Sequence, residues 1–357
     1  MAKANLRAAQ KNKNDEFYTR LEDISNEMIH YKDHFKDKVV YCNCDDATWS
    51  NFWKYFHLSF EHLGLKKLIS TGYNPGGTSY KAEYTGGNDN DISVCVKTDF
   101  TGDGDFRSEE SIECLKEADI VVTNPPFSLF REYVAQLMEY DKKFLIIGNA
   151  NAAGYKGLFP LIKEGKVWPG FSFNKTMEFI MPDDYVLKGK AYIDANGKKH
   201  GFVPSVAWYT NLDISKRHET IDLFKKYTPE EYPTYDNFDA INVDRVAYIP
   251  KDYDGVMGVP LTFLDKYNPE QFEILGFLHS STDEEAGIPN LRYYNDFKEM
   301  RQDMSYTGAR GGKSNGNPVV KGKSAKGNFL YNPETEEYVH SKYVRITIKR
   351  NPNFIDE

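Results

Sequence analysis

The sequence lacks several features that mark other classes of protein. Its 4 cysteines in 357 residues are too few for a disulfide framework. No second cysteine pair follows Cys42 and Cys44 at the spacing of metal ligands, so we interpret the cysteines as reduced packing residues and expect no metal site. No apolar run approaches the roughly 20 residues of a membrane span, and the N-terminal segment lacks the apolar core of a signal peptide. The sequence therefore predicts a soluble, cytoplasmic protein with no membrane partner.

Motifs of several common enzyme classes are also absent. No Gly-rich loop of the GxGxxG type follows the first predicted strand, which argues against a dinucleotide-binding or P-loop enzyme. The sequence contains neither a cluster of His, Cys and Asp residues at metal-ligand spacing nor a plausible Ser, His and Asp set. The formal net charge of -8 argues against nonspecific binding of polyanions by the whole surface.

Positive charge is nevertheless concentrated in two segments. The N-terminal arm, residues 1–14, carries Lys3, Arg7, Lys11 and Lys13 without an acidic residue. The second segment, residues 310–326, carries five basic residues and no acidic one. Each segment could be a solvated, flexible tail or could bind phosphate groups, and the charge pattern alone leaves both alternatives open.

Strand and helix patterns alternate along residues 39–148, which is typical of a doubly wound α/β fold with a mainly parallel sheet. The predicted strands are residues 39–42, 67–71, 91–100, 120–123 and 143–149, and the predicted helices begin near Thr48 or Ser50, after Ser108 and at residue 128. Residues 72–91 are expected to form a loop or hairpin insertion. Short strands after residue 149 are expected to add antiparallel pairs to one edge of the sheet, and a second lobe is expected to begin at Ile214.

Polar side chains follow successive predicted strands. Residues 43–46, 103–106, 124–127 and 149–151 each lie at or near the carboxyl end of a strand. Ligands of open α/β sheets bind in the crevice beyond these ends. The four clusters together predict a pocket of amides, carboxylates and aromatic rings, which suits a neutral planar base better than a phosphate group.

Asn124, Pro125, Pro126 and Phe127 directly follow the apolar run of residues 120–123. Proline has no N–H group to continue a sheet, so the strand must end here. The Asn124 side-chain oxygen and the Pro125 carbonyl can accept hydrogen bonds from the two hydrogens of an exocyclic amino group. Phe127 can stack on the ring of the base that carries this group. Two acceptors outside the ring plane would favour a pyramidal nitrogen whose lone pair can attack a carbon atom. The alternative is a turn that only ends the strand.

Several motifs of the chain resemble those of known methyltransferases. TNPPF, residues 123–127, resembles the catalytic motif of amino-directed S-adenosylmethionine-dependent methyltransferases, and residues 102–108 resemble their adenosine-binding segment. The chain is similar to the EcoRI-type adenine-specific DNA methyltransferases over roughly residues 15–278, and less so from residue 279 to 341. The similar blocks are DEFYT (15–19), DKVVYCNCDD (37–46), GDGDFRS (102–108), DIVVTNPPFSLF (119–130), YDKKFLII (140–147), WYTNLD (208–213) and DYDGVMGVP (252–260).

The resemblance implies a fold and a division of the chain. The fold is α/β, with the doubly wound, mainly parallel sheet of class I S-adenosylmethionine-dependent methyltransferases, an antiparallel edge and a smaller C-terminal target-recognition lobe. Residues 1–14 would form a basic N-terminal arm, residues 15–213 the catalytic domain, and residues 214–357 the target-recognition and DNA-binding region. Residues 308–328 contain several glycines and Pro318 and lack apolar periodicity. We therefore predict a flexible basic insertion near these residues and expect it to order on duplex DNA.

The resemblance also implies roles for individual residues. Asn124, Pro125, Pro126 and Phe127 would be the catalytic residues. Asp105 would accept a hydrogen bond from the amino group of the cofactor's adenine, and the Phe106 backbone N–H would donate to a ring nitrogen. The other cofactor-binding residues would be Phe17, Tyr18 and Thr19, which close over the methionine end, and Asn43, Asp45 and Asp46, which replace the usual Gly-rich loop. No acidic residue follows the strand ending at Thr71, where many relatives bind the ribose hydroxyls.

The activity implied by the resemblance is site-specific transfer of a methyl group from S-adenosylmethionine to the N6 amino group of a flipped adenine in duplex DNA. The product would be S-adenosylhomocysteine, no metal would take part, and the enzyme would be a monomer linked to a restriction endonuclease only through a shared target site. The phosphate contacts would come from Lys11, Lys13, Arg310, Lys313, Lys321, Lys323 and Lys326. Two alternatives remain: methylation of RNA bases or protein glutamine in the same pocket, and a DNA-binding protein without catalytic activity.

Overall fold

The chain forms two compact units. The structure, a computed structural model, describes residues 18–181, 186–187, 189–203, 205–278, 294–311 and 317–354. The boundary between the units falls between Ser215 and Lys216, whereas the start of a second lobe was expected at Ile214. Within the described ranges, no helix is both long enough and apolar enough to cross a membrane.

The first unit is built on a large β-sheet. Its strands are β1 (Tyr18–Thr19), β2 (Val39–Asn43), β3 (Lys67–Thr71), β4 (Tyr80–Tyr84), β5 (Val96–Asp99), β6 (Ile120–Thr123), β7 (Lys143–Asn149), β8 (Trp168–Pro169), β9 (Met177–Ile180), β10 (Tyr192–Ile193), β11 (Lys199–Val203) and β12 (Val206–Thr210). Its α-helices are α1 (Leu21–Met28), α2 (Asn51–Leu58), α3 (Phe60–Leu63), α4 (Glu109–Glu117), α5 (Phe130–Glu139) and α6 (Phe159–Lys163). Short 3-10 helices cover Lys32–His34, Phe127–Leu129 and Ala150–Gly154.

Eight of these strands form the central sheet, in the order β5-β4-β3-β2-β6-β7-β12-β8. β2 pairs in parallel with β3 and β6, and β6 pairs in parallel with β7. β4 and β12 run against the other six strands, because all their pairings are antiparallel. β2 and β6 are buried along their whole length, as expected for central strands covered on both faces. The prediction of a mixed α/β fold with a mostly parallel sheet is therefore confirmed.

The helices that follow β2 and β5 begin at serine caps. Ser50 Oγ accepts a hydrogen bond from the Phe52 backbone N–H at 3.0 Å, and Ser108 Oγ accepts one from the Ser111 N–H at 3.2 Å. Each hydroxyl satisfies an N–H group that the first turn of a helix leaves without a backbone partner. Both predicted caps are confirmed, with Ser50 rather than Thr48 before α2.

One hydrophobic core of the first unit lies where α1 and α2 pack against the sheet. Trp53 of α2 and Trp208 of β12 are fully buried in it. The Phe52 ring packs edge-on against the Trp208 ring, with 6.0 Å between their centroids. These contacts hold the N-terminal end of α2 at the carboxyl edge of the sheet, where the candidate site lies.

The flanks of the sheet differ from the prediction. Of residues 91–100, predicted as one strand, only Val96–Asp99 form β5, and all four residues are exposed. The alternation of apolar and polar residues overestimated the length of this strand. β5 is an edge strand, and the alternation does not reflect a buried face. Residues 72–91 contain β4, so this insertion is a hairpin strand of the sheet.

Only part of the predicted antiparallel edge is present. β12 and β8 finish the sheet beyond β7, as expected. β9, β10 and β11 do not join it: they form a separate four-stranded antiparallel sheet with β1, in the order β1-β9-β11-β10. The expectation that all these strands extend the central sheet is wrong, because β9 pairs with the N-terminal strand β1 instead.

The second unit contains two smaller sheets. Its strands are β13 (Ile241–Asn242), β14 (Met257–Pro260), β15 (Phe272–Leu278), β16 (Lys298–Met300), β17 (Tyr306–Arg310), β18 (Val319–Lys321), β19 (Phe329–Tyr331), β20 (Tyr338–Ser341) and β21 (Arg345–Arg350). The sheet orders are β13-β14-β21-β15 and β17-β16-β19-β20-β18. Short 3-10 helices cover Val246–Tyr248 and Leu261–Lys266, and one at Ser215–His218 spans the boundary between the units.

The basic segment near residues 308–328 is not a loop throughout. Residues 308–310 belong to β17, and Val319 and Val320 of β18 are 1% and 2% exposed. The Val319 N–H donates to Asn237 Oδ1 at 2.9 Å, and the Asp236 N–H donates to the Val319 carbonyl at 2.7 Å. The prediction of a loop is wrong for β17 and β18. In β18, two adjacent valines are too short a run to show periodicity, yet Val320 and Val319 pack into two separate hydrophobic clusters.

Candidate active site

A cavity of about 180 Å³ opens at the carboxyl edge of the central sheet. Three of the four predicted polar clusters meet there: those after β2, β5 and β6. The lining residues are Thr19, Cys44, Asp45, Trp49, Ser50, Asn51, Phe52, Tyr73, Asp105, Phe106, Arg107, Asn124, Pro125, Pro126 and Leu129. The fourth cluster does not line the cavity: Asn149 Oδ1 accepts from the Asn151 N–H at 2.8 Å and caps a 3-10 helix.

The loop after β2 places the carboxyl group of Asp45 in the wall of the cavity. Cys44 has a positive φ of 70°, a left-handed conformation that non-glycine residues rarely adopt. The next residue, Asp45, is 5% exposed, and its N–H donates to the Thr71 carbonyl of β3 at 2.8 Å. Its Oδ1 accepts from Ser50 Oγ at 2.7 Å and its Oδ2 from Thr123 Oγ1 at 2.6 Å. Burial raises the pKa of the Asp45 carboxyl to about 7, against the lowering effect of the two hydroxyl donors.

The two other predicted residues of this loop support the wall rather than line it. The Asn43 side chain is buried, and its Oδ1 accepts from Thr71 Oγ1 at 3.4 Å. Asp46 Oδ1 accepts from the Thr48 N–H at 2.8 Å and from the Tyr80 hydroxyl at 2.9 Å. Both side chains tie the loop to neighbouring segments, so of the three predicted residues Asp45 alone lines the cavity.

Asp105 lies at another part of the lining and is paired with a cation. Its Oδ1 accepts from the Arg107 backbone N–H and from Nε, both at 2.9 Å, and its Oδ2 accepts from Nη2 at 2.7 Å. The Arg107 guanidinium holds the pKa of this carboxyl below its usual value. A carboxylate oxygen can accept about two hydrogen bonds, so Oδ2 can take one more donor.

Phe106 follows Asp105 into the lining and is 4% exposed. Its ring packs edge-on against Tyr133 of α5, with 5.0 Å between the centroids. The Arg107 guanidinium lies over the same ring, 5.1 Å from its centroid. The Asp105 to Arg107 segment is therefore held by an ion pair and by ring packing before any ligand binds.

Asn124, Pro125 and Pro126 line the cavity directly after β6, as predicted. Phe127 does not: it begins a 3-10 helix, and its ring packs against the hydrophobic core. Leu129, two residues further on, lines the cavity. The rigid φ of the two prolines extends the chain before the helix, and the ring that sequence reasoning expected to stack on a ligand is directed elsewhere.

The exposed aromatic rings of the cavity are two residues that the sequence analysis missed. Trp49, just before α2, is 51% exposed, and Tyr73, two residues after β3, is 47% exposed. Both follow the carboxyl ends of parallel strands, which was the available signal. Large exposed rings at such a position are suited to stacking on a planar ligand.

The segment before α1 reaches the cavity through Thr19. Phe17 and the Tyr18 side chain lie outside the described residues. Thr19 is 4% exposed, its carbonyl accepts from Asn51 Nδ2 at 2.8 Å, and its Oγ1 has no hydrogen-bond partner among the residues that the structure describes. A buried hydroxyl that lines a cavity in this way is suited to a polar ligand.

The predicted phosphate contacts belong to the second unit or to undescribed residues. Lys11, Lys13 and Lys313 lie outside the described residues. Arg310 ends β17 and Lys321 ends β18, and both are exposed, as are Lys323 and Lys326 in the following turn. Lys323 Nζ lies 4.6 Å from the Tyr338 ring centroid and 5.7 Å from that of Phe329. This side chain is held on an aromatic surface, where a cation interacts with the ring quadrupole.

Metal ligands were not expected from the sequence. In the part of the chain covered by the structure, no group of three or more His, Cys, Asp and Glu side chains is placed to hold a metal ion. The absence of a metal from the reaction stays a prediction.

The chain matches the family described as adenine-specific methyltransferase EcoRI over residues 5–351. It belongs to the EcoRI-type adenine-specific methyltransferases. It is 51% identical over 302 residues to the type II methyltransferase M.EcoRI of Escherichia coli, covering 79% of this chain and 92% of the relative. It is 42% identical over 275 residues to M.MpnI of Mycoplasma pneumoniae, covering 76% of this chain and 84% of the relative. No solved structure matches the chain significantly.

Proposed function

We propose that this protein is a DNA methyltransferase that transfers a methyl group from S-adenosylmethionine to the N6 amino group of adenine within a specific duplex sequence. The observation that carries the proposal is the cavity lined by Asp45, Asp105 and Asn124, which come from three different strand ends. Membership of the EcoRI-type family supports adenine as the base. The type II methyltransferases among the relatives support duplex DNA as the substrate.

The residues of the cavity fit S-adenosylmethionine as the methyl donor. When bound, this cofactor supplies a methyl group on a positively charged sulfur. Asp105 Oδ2 retains capacity for one donor, which suits an adenine amino group, and the Trp49 and Tyr73 rings offer stacking surfaces in the same cavity. The Thr19 hydroxyl suits a polar amino-acid end, and the Asp45 carboxyl suits a cation. The cavity therefore offers a suitable group for the adenine, the sulfonium and the amino-acid end of the cofactor. Its described lining lacks the acidic residue that many relatives use to bind the ribose.

Asn124 and Pro125 would prepare the amino group of the target base. An adenine amino nitrogen is a weak nucleophile, because its lone pair is delocalised into the ring. The Asn124 Oδ1 and the Pro125 carbonyl would each accept one amino hydrogen and favour a pyramidal nitrogen with its lone pair free to react. The rigid Pro125–Pro126 backbone holds these acceptors in place before the substrate arrives, which is electrostatic preorganisation.

The target base must leave the helix to enter such a cavity. An adenine in duplex DNA is stacked on both faces, and flipping it out costs a few kcal/mol. Phosphate contacts from Lys11, Lys13, Arg310, Lys313, Lys321, Lys323 and Lys326 would provide affinity, and base contacts from the second unit would provide specificity. In this proposal residues 15–213 carry the chemistry and residues 214–357 recognise the target.

Transfer of radiolabelled methyl from S-adenosylmethionine tests the proposal. The full chain is incubated with bacterial genomic DNA, with RNA and with protein, and the products are digested and separated by liquid chromatography and mass spectrometry. We expect label in DNA alone, in N6-methyladenine, at one recurrent sequence. Label in RNA or in protein glutamine would assign the cavity to those substrates, and no transfer to any substrate by a protein that binds the cofactor would contradict the proposal.

A further inference from the structure

The hydroxyl of Thr123 faces two hydrogen-bond acceptors but has one hydrogen. Thr123 Oγ1 contacts the backbone carbonyl of Asn43 and lies 2.6 Å from Asp45 Oδ2. A hydroxyl donates one hydrogen and can accept two. If Asp45 is ionised, the Thr123 hydrogen can satisfy only one of its two neighbours. If Asp45 carries a proton on Oδ2, it donates to Thr123 Oγ1, and Thr123 donates to the Asn43 carbonyl.

The other carboxylate oxygen accepts a hydrogen bond in both protonation states. Ser50 Oγ accepts from the Phe52 N–H at 3.0 Å and donates to Asp45 Oδ1 at 2.7 Å. The role of Ser50 is therefore set by the helix that it caps. The hydrogen bonds around Asp45 are complete when the carboxyl is protonated and one hydrogen short when it is ionised.

The surroundings of Asp45 supply no permanent positive charge. No Lys, Arg or His pairs with it among the described residues, and Arg107 across the cavity is already paired with Asp105. The titratable groups that interact electrostatically with Asp45 are the thiol of Cys42 and the phenol of Tyr133. The pKa values of Cys42 and Tyr133 are raised by burial, so these groups stay neutral near pH 7. A cation beside Asp45 must therefore come from a ligand.

The position of Asp45 identifies which part of the ligand it would meet. Its carboxyl accepts from Thr123, the residue directly before Asn124, so it lies on the side of the cavity where the methyl group would be transferred. Asp105, which would receive the adenine amino group, comes from a different loop and has its own cation. The methyl donor is positively charged at its sulfur, and the product is neutral there.

We propose that Asp45 distinguishes the cationic methyl donor from the neutral product by exchanging a proton. Asp45 holds a proton on Oδ2 when no cation is present, and releases it to water when S-adenosylmethionine binds. The Thr123 hydrogen then turns from the Asn43 carbonyl to the ionised carboxylate. Once the sulfur is neutral, Asp45 takes a proton back from water, which weakens retention of S-adenosylhomocysteine. This inference rests on the proposed use of S-adenosylmethionine.

The inference predicts a pH dependence that differs between the two ligands. Burial raises the Asp45 pKa to about 7, so below that pH a proton must be removed before the cation can be neutralised. The affinity for S-adenosylmethionine is expected to fall by up to roughly tenfold for each pH unit below this value, as linkage of one proton requires. The affinity for S-adenosylhomocysteine is expected to change much less.

Calorimetric titration measures the released proton directly. Each ligand is titrated into the full chain at about pH 6.5 and about pH 8.5, in two buffers of different ionisation enthalpy, so that the buffer-dependent heat gives the number of protons exchanged. We expect release of most of one proton with S-adenosylmethionine at the lower pH, little at the higher pH, and little with S-adenosylhomocysteine at either. Equal release with both ligands would show that Asp45 meets the ammonium group that they share, and would overturn the inference.

Two variants distinguish the role of Asp45 from that of Asp105, the other carboxylate that lines the cavity. Asp45→Asn keeps an oxygen acceptor and an N–H donor for Ser50 and Thr123, and should remove the proton release and reduce the preference for S-adenosylmethionine by roughly tenfold to a hundredfold. Asp105→Asn should weaken both ligands alike and keep the proton release, because the Asp105 pKa is already low. Unchanged release in Asp45→Asn would assign the proton to another group and contradict the inference.

The failure of this inference is distinguishable from failure of the proposed function. A protein that binds S-adenosylmethionine and methylates DNA without exchanging a proton would overturn the role of Asp45 alone. A protein that binds neither S-adenosylmethionine nor S-adenosylhomocysteine would contradict the proposed function itself. Thermal unfolding of each variant shows whether a lost signal reflects a lost fold.

Discussion

The ionisable side chains that we propose to act in the two units lie in opposite environments. In the first unit, the carboxyl of Asp45 is 5% exposed and is held by two hydroxyl groups at the edge of a buried sheet. In the second unit, Arg310, Lys321 and Lys326 are exposed at the ends of short strands or in a turn. Ionising a buried carboxyl is costly, and the resulting charge is little screened from a ligand in the same cavity. An exposed charge costs little, acts on a polyanion at longer range and is screened by salt.

This difference predicts that the two units can be disabled separately. Changes in the cavity of the first unit should alter cofactor binding or methyl transfer and leave DNA affinity intact. Changes on the basic strands of the second unit should alter DNA affinity and leave the chemistry intact at saturating DNA. A variant that alters both properties together would show that the two units do not act independently.

The largest effect is expected for Asn124→Ala, which removes an acceptor whose contact is strongest as the amino group becomes pyramidal. We expect single-turnover methyl transfer to fall by roughly two to three orders of magnitude, as when one preorganised group is removed from other active sites. Cofactor and DNA affinities should stay close to those of the parent protein. Ser128→Ala, at an exposed residue of the 3-10 helix that follows Pro126, is the matched control. A near-normal single-turnover rate in Asn124→Ala would remove Asn124 from the chemistry.

A smaller effect is expected for Asp105→Ala, measured as cofactor affinity by calorimetry. A hydrogen bond to a charged acceptor contributes roughly 1.5 to 3 kcal/mol, or about ten- to a hundredfold in affinity, and exposure of the site reduces this. DNA affinity should change little. Glu132→Ala is the matched control, because Glu132 also pairs with Arg107, at 3.1 Å, but does not line the cavity. Unchanged cofactor affinity in Asp105→Ala would exclude Asp105 from the binding site.

Replacement of Lys321, Lys323 and Lys326 together by Gln tests the second unit. The slope of log affinity for DNA against log salt should become shallower by about 0.9 for each phosphate that the variant no longer neutralises. Methyl transfer at saturating DNA should stay near the parent rate. The same three positions changed to Arg keep the charge and should keep the slope. An unchanged slope in the Gln variant would show that this segment does not bind phosphate.

The smallest effect is expected for the stability of Asp45→Asn. Its pH dependence should distinguish the buried Asp45 from an ordinary exposed acid. Asp45 binds its proton up to about pH 7 in the folded chain but releases it near pH 4 when unfolded, so its contribution to stability decreases as the pH rises through that window. Asp45→Asn cannot ionise and should raise the melting temperature by a few degrees at about pH 8. The gain should disappear at about pH 4. A variant that loses more stability, relative to the parent, at about pH 8 than at about pH 4 would show that the ionised carboxylate is stabilised in the fold.

The sequence predicted the centre of the fold well because local patterns carry that information. β3 and β6 have the predicted bounds, and β2 ends one residue later than predicted. Each is a short, largely buried run followed by a turn, and strands covered on both faces are mostly apolar. Ser50 and Ser108 marked their helices because a cap is a contact between residues two or three positions apart.

The edges of the fold were predicted less well because their partners are distant in the chain. β9 pairs with β1, about 160 residues earlier, and β18 packs through Asn237, 82 residues away from Val319. Nothing in the local pattern of either strand identifies such a partner. The structure of these segments depends on which surfaces remain available once the central sheet has formed.

Local sequence patterns were enough to predict polar clusters at the carboxyl edge of a parallel sheet, because parallel strands bring their carboxyl ends to one side, and three of the four predicted clusters line the cavity there. The sequence also indicated the family, through motifs that resemble those of the EcoRI-type methyltransferases, and the family match over residues 5–351 confirms this. Tertiary structure decided which members of each cluster reach the cavity: Asp45 but neither Asn43 nor Asp46, and Leu129 in place of Phe127. The direction of a side chain after a strand depends on a few backbone angles, such as the positive φ of Cys44, and on the packing that holds them. That packing also raises the Asp45 pKa, because the segments that bury this carboxyl meet only in the folded chain.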